Sequence, residues 1–108
     1  MVNVVLSPLA KQDLLEIGDY IAFRLHNKSA ARNTIHRIRK TILRLQDFPE
    51  CGAPLQQPTL HVTYRYLVCG NYMVFYHLAE NSALIDRILY GKRDYLNLLF
   101  SDEFEETE

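Results

Sequence analysis

The chain has 108 residues, enough for one hydrophobic core and too few for two. Hydrophobic residues make up 48% and charged residues 23%, a balance that excludes a globally disordered chain. The formal net charge of −1 divides unevenly: residues 102–108 (DEFEETE) hold five acids, which leaves 12 bases against 8 acids, or +4, in the rest.

Residues 2–6 (VNVVL) are β-branched and apolar and predict a strand. Ser7-Pro8 then marks a helix start, because serine caps the free N–H groups and proline has none to leave unpaired at the first helical position. Ala10, Leu14, Ile17, Ile21 and Leu25 follow at helical spacing as one apolar stripe, which ends near His26-Asn27. A second helix starts at Asn27 or Ser29. Its seam, Ala31, Ile35, Ile38, Ile42 and Leu45, steps by 4, 3, 4 and 3, and Phe48-Pro49 closes it. The other faces of this helix carry a basic run. From Tyr20 to Gln46 there are seven bases (Arg24, Lys28, Arg32, Arg37, Arg39, Lys40 and Arg44) and no acid over 27 residues. Such a face is either plainly solvated or an electrostatic surface for nucleic acid or an acidic protein. The two helices form an antiparallel hairpin.

Residues 49–59 (PECGAPLQQPT) read as a loop, after which the period changes to two. Leu60, Val62, Tyr64, Tyr66 and Val68 form the larger apolar face of a strand and are expected to pack on the helices. Arg65, with His61 and Thr63, is then expected to face outward. Cys69-Gly70-Asn71 is a turn, residues 72–78 (YMVFYHL) the next strand, Ala79–Asn81 another turn, and residues 83–90 (ALIDRILY) a third strand, together an antiparallel meander. Gly91 ends it, and Lys92–Phe100 predicts a short helix with Leu96 and Leu99 inward. The expected fold is α+β: an N-terminal strand, an antiparallel helical hairpin packed on a small antiparallel sheet, and a short C-terminal helix. Residues 1–101 form the domain, and 102–108 an acidic tail outside the core.

No apolar run approaches the roughly 18 residues needed to cross a bilayer, and the N-terminus has no series of basic leader, apolar core and small-residue cleavage site, so the expected location is the cytoplasm. Cys51 and Cys69 have no metal-ligand spacing, the four histidines are scattered, and neither metal nor cofactor is expected. No P-loop, G-x-G-x-x-G, H-E-x-x-H or G-x-S-x-G occurs. Four features are left to carry chemistry. Arg65 has a guanidinium suited to phosphate or carboxylate. His77 can titrate near neutral pH, or be structural. Arg87 either binds anions or pairs with Asp86 or Asp94. Lys92-Arg93-Asp94-Tyr95 joins two bases to an aromatic ring able to stack on a base.

LSPLAKQDLLEIGDYIA at 6–22, FPECG at 48–52, YRYLVCGNYMVFY at 64–76 and RILYGKRDY at 87–95 resemble, in that order, the RelE/ParE superfamily of toxins from type II toxin–antitoxin pairs. The first-helix and GKRDY patterns are closer to the ParE-like, plasmid-stabilisation branch. The resemblance implies a toxin that arrests growth and is neutralised by a cognate antitoxin in a hetero-oligomer. The ParE-like branch implies binding of a target such as DNA gyrase. The RelE-like branch implies a ribosome-dependent, metal-independent mRNA endonuclease, and a non-toxic binding module of the same fold is a third reading. In RelE-like terms Arg93 matches a phosphate-contacting arginine and Arg65 lies on the strand that supplies bases. However, Met73 replaces the arginine of the hairpin motif, Leu99 stands where a tyrosine is expected, and Gly91 lies near where some members place a histidine. The cations for such a reaction are present. The acid and base would fall to His77, His61, Glu50 or Tyr95. Target or nucleic-acid contacts are expected from Arg65, Arg87, Lys92, Arg93, Tyr95, Arg37, Lys40 and Arg44.

Overall fold

Ser7 caps the first helix as its sequence requires, with Oγ accepting the Ala10 N–H at 3.0 Å and Pro8 occupying the first position. The computed structural model describes residues 1–55 and 63–91. In it, strand β1 (Asn3–Leu6) leads into helix α1 (Pro8–Asp19), a π-helical turn (Tyr20–Arg24), helix α2 (Lys28–Leu43) and a 3-10 turn (Arg44–Gln46). Strands β2 (Ala53–Pro54), β3 (Tyr64–Cys69), β4 (Tyr72–Ala79) and β5 (Ser82–Tyr90) complete the described chain. Asn27 caps α2, its Oδ1 accepting the Ala30 N–H at 2.9 Å. The expected helix at 92–100, the tail at 102–108, and Leu60, His61 and Val62 lie outside the described residues.

The five strands form one sheet in the order β1-β5-β4-β3-β2. The meander β3-β4-β5 is antiparallel as expected, while β1 joins it parallel to β5, with Asn3 opposite Ser82 and Leu6 opposite Ile85, so the sheet is mixed. The helical hairpin covers one face. Ala10 and Leu14 of α1, with Ile38, Ile42 and Leu45 of α2 and the turn after it, meet Val74, Tyr76, Ala83, Ile85 and Ile88 of the central strands. Burial of each large side chain in this layer stabilises the fold by roughly 1.5–3 kcal/mol.

The structure departs from the sequence-based expectation at three places in this layer. Leu25 is 56% exposed rather than packed, because the helix widens to a π turn after Asp19. The Leu25 N–H reaches five residues back to Tyr20 O, which rotates the end of the stripe out of phase. The parity of β3 is also reversed. Val68 is 65% exposed, while Cys69 is buried and Leu67 packs against the core. The central strand sets this parity. Residues opposite one another share a face, and the register pairs Leu67 with Val74 and Arg65 with Tyr76, both helix-facing in β4. Cys69 is small enough for α2 to approach, and its Sγ accepts a hydrogen bond from Thr41 Oγ1 at 3.4 Å. Finally, the expected loop after Pro49 contains a two-residue edge strand, where Ala53 pairs with Tyr66 and Pro54 with Arg65. Proline is tolerated there because an edge leaves one side of the strand without a hydrogen-bonding neighbour.

Candidate functional site

Arg65 was expected to face outward, and the structure turns it instead toward the loop that follows α2. Its Nη1 donates to Gly52 O at 2.9 Å and to Glu50 O at 3.3 Å. The same loop is gripped by Tyr76, whose Oη accepts the Gly52 N–H and donates to Pro49 O, both at 2.9 Å. Burial pushes the Tyr76 hydroxyl above its ordinary pKa, so it remains a neutral donor at physiological pH. Arg65 therefore serves as part of a clamp on residues 49–52 before it serves any ligand.

His77 occupies the opposite face of the sheet. It follows Tyr76 in β4, and successive side chains in a strand alternate. Its Nδ1 is 2.8 Å from Asp86 Oδ2, and its ring meets the edge of Tyr64 with centroids 5.3 Å apart. Burial raises the Asp86 pKa, and the hydrogen bond and charge of His77 work against that rise. The pair is half-buried, and its aspartate comes from a register shift between β4 and β5 at Phe75/Tyr76. The sequence signal for it was the facing of the two strands, not a motif.

Asp94 lies outside the described residues, and Arg87 pairs with Asp13 rather than with Asp86. Its Nε and Nη2 donate to the two carboxylate oxygens of Asp13 at 2.9 and 3.0 Å, and the Ile88 N–H donates to Asp13 Oδ2 at 2.9 Å. Asp13 is the sole buried charged side chain among the described residues, at 6% exposure. The hydrogen bonds to Asp13 are the chief cause that raises the Arg87 pKa further, so this guanidinium is permanently charged and committed to fastening α1 to β5. Asp13 was not picked out in the sequence. An acid beside Leu14, one turn after Ala10, on the edge of an apolar stripe was the legible sign.

The bases Arg37, Lys40 and Arg44 lie on the exposed face of α2 and its closing turn, together with Lys28, Arg32 and Arg39. Lys92, Arg93 and Tyr95 fall outside the described residues. Thus the structure sets Arg65 beside the loop that carries Glu50, whose backbone oxygen is 3.3 Å from Arg65 Nη1, but apart from His77, which is on the opposite face of the sheet, and from Arg87, which is bound to α1.

Two grooves flank the hairpin. One, of about 850 Å³, runs between α1, α2 and β1, with Leu14, Leu15, Ile35 and Leu43 in its walls and Lys11 and Arg39 at its rim. Leu15 and Leu43 there are 63% and 53% exposed, a level of apolar exposure that marks a contact surface when contiguous. The other, of about 840 Å³, lies between the π turn and the end of β4-β5, where Tyr20, Tyr72 and Tyr90 gather. Tyr72 and Tyr90 meet edge to face at 5.8 Å, and burial raises the Tyr72 pKa, with lesser contributions from Tyr90 and Tyr20. No helix among the described residues is long and apolar enough to cross a membrane.

A family model described as "ParE toxin of type II toxin-antitoxin system, parDE" matches residues 4–95. A solved structure, "Chromosomal ParDE TA system from P. aeruginosa", is similar with a TM-score of 0.69 and 20% identity, covering 82% of this chain and 94% of that chain. That likeness is one of fold. No curated protein matches the chain.

Proposed function

From the premise that this chain belongs to the ParE toxin family of type II toxin–antitoxin systems, we propose that it arrests growth by binding an essential protein target, DNA gyrase in the family's precedent, and that a cognate antitoxin neutralises it. The observation that carries the choice of binding over catalysis is the separation of Arg65 from His77. Cleavage of RNA at a 2′-hydroxyl needs a base and a phosphate-holding cation around one bond. Here Arg65 and His77, the cation and the histidine, sit on opposite faces of a sheet, each engaged within the chain.

The antitoxin in this reading lies along the groove between α1, α2 and β1. Exposed Leu15 and Leu43 supply apolar anchors there. Lys11 and Arg39 at the rim favour an acidic amphipathic segment, and among the described residues β1 is an edge of the sheet, suited to strand addition.

Induced expression without an antitoxin tests the proposal. Growth should stop, should resume when the antitoxin encoded beside the gene is supplied, and should stop equally with His77→Phe, which keeps a ring against Tyr64 and removes both imidazole nitrogens. Arrest that disappears with His77→Phe, together with cleaved transcripts from the unaltered chain, would instead establish the RelE-like endonuclease. Normal growth of cells that accumulate the folded protein would make it a non-toxic binding module.

A further inference from the structure

We infer that the solvent face of α2 is a sequence-independent nucleic-acid surface that holds the phosphate backbone. This goes beyond the toxin reading and depends on neither gyrase nor an antitoxin.

The face is built by the same periodicity that builds the core. Residues 31, 35, 38, 42 and 45 turn inward, and at ~100° per residue positions 32, 37, 40 and 44 spread over the opposite half of the helix, with 28 and 39 on its flank. All six are lysine or arginine, and all six are exposed. The ion pairs of the described residues are His77–Asp86 and Arg87–Asp13, so none of the six is neutralised by a described carboxylate. The nearest acids in the sequence, Asp19 and Asp47, lie beyond the two ends of the run. Asp19 shares the wall of the first groove with Arg39 and tempers the charge at that edge. At the other edge, Arg37 Nη1 lies 3.8 Å from where a side chain at Gly70 would begin, so the cationic surface continues to the β3–β4 turn.

Two features select a phosphate backbone over an acidic protein. Protein interfaces place an apolar or aromatic cluster at their centre, with charges at the rim. This face has charges throughout, with Ser29, Asn33 and His36 between them and Leu43 its one large apolar side chain. Interfaces with nucleic acid are more polar and more positive, and use arginine, lysine, serine and asparagine on phosphate oxygens. Four of the six cations are arginine, whose planar fork matches two phosphate oxygens. In length, the 16 residues of α2 span about 24 Å, over which duplex DNA presents on the order of 14 phosphate charges. The array is therefore met by a ligand at least as densely charged as itself. A face of cations with small polar residues between them contacts phosphates, which carry no sequence information.

Binding of the full chain to labelled probes at 50–200 mM salt tests the inference. The probes are a 20-base-pair DNA duplex, a 20-nucleotide single-stranded RNA and poly-glutamate. The expected result is affinity for a nucleic acid that falls linearly in log–log form with salt and is indifferent to sequence. The duplex and the single strand decide between the two sources of phosphate. In the variant Arg32→Gln/Arg39→Gln/Lys40→Gln/Arg44→Gln the salt slope should shrink by about 3 to 4 for the duplex, or about 3 for the single strand. The half-variants Arg32→Gln/Arg39→Gln and Lys40→Gln/Arg44→Gln should each remove about half of that, which keeps the test decisive if the fourfold change fails to fold. An unchanged slope in both half-variants would overturn the inference. So would tighter binding of poly-glutamate than of either nucleic acid, or binding of neither nucleic acid at the lowest salt.

Discussion

Asp13→Ala is expected to lower the stability of the fold by about 3–5 kcal/mol, the cost of leaving a buried charge without its partner. The carboxylate accepts three hydrogen bonds, two from Arg87 and one from the Ile88 N–H, each between 2.9 and 3.0 Å. With the carboxylate gone, the Ile88 N–H is left buried and unpaired, at about 1–3 kcal/mol. Arg87 keeps its charge on a side chain 21% exposed, and water at that exposed part holds the total toward the lower end. Asp13→Asn keeps one oxygen acceptor and should cost less than Asp13→Ala. Urea unfolding measures both, read as a fall in midpoint at constant slope. Because a domain of this size is stable by only about 5–15 kcal/mol, the alanine variant should sit near the edge of folding. A loss below about 1 kcal/mol would mean that α1 is held to β5 by apolar packing alone.

Gly52→Ala is expected to be nearly as damaging although it adds one methyl group. The new carbon would lie 2.5 Å from the Tyr76 hydroxyl oxygen, 2.7 Å from a ring carbon of Tyr76 and 2.9 Å from the backbone oxygen of Tyr66. Tyr76 has no room to retreat: it is fully buried, and its hydroxyl is fixed from both sides by Gly52 and Pro49. Overpacking of this kind costs about 1–3 kcal/mol, and a broken hydrogen bond adds about 1. For a domain of about 100 residues this lowers the melting temperature by on the order of 10 °C or more. Tyr76→Phe removes the closest atom of the clash, so Gly52→Ala/Tyr76→Phe should be less destabilised than the sum of the single variants. Simple additivity would show that Tyr76 is not what confines the loop.

These two sites also show where the sequence is legible and where it is not. The helical hairpin could be read because its signals are local: Ser7 and Asn27 cap, and the seam from Ala31 to Leu45 repeats at helical spacing. The meander could be read from its turns at Gly70 and at Glu80-Asn81. The face of β3 could not, because both of its faces carry apolar side chains and the deciding partners, Val74 and Tyr76, belong to another strand. Neither could the parallel pairing of β1 with β5, nor the Asp13–Arg87 bond, since residues 74 positions apart share no local pattern. Of the candidate site residues, the bases of α2 were found where periodicity placed them. For Arg65, His77 and Arg87 the positions were read, but the partners that decide what each side chain can do lie far along the chain.

Inhibition of gyrase by the purified chain tests most directly whether this toxin acts by binding. The reaction is ATP-dependent supercoiling of relaxed plasmid, run beside a map of transcript ends from cells expressing the chain. A target-binding toxin predicts that supercoiling is blocked while transcripts keep their normal ends. Unimpaired supercoiling with transcripts cut during translation would contradict it.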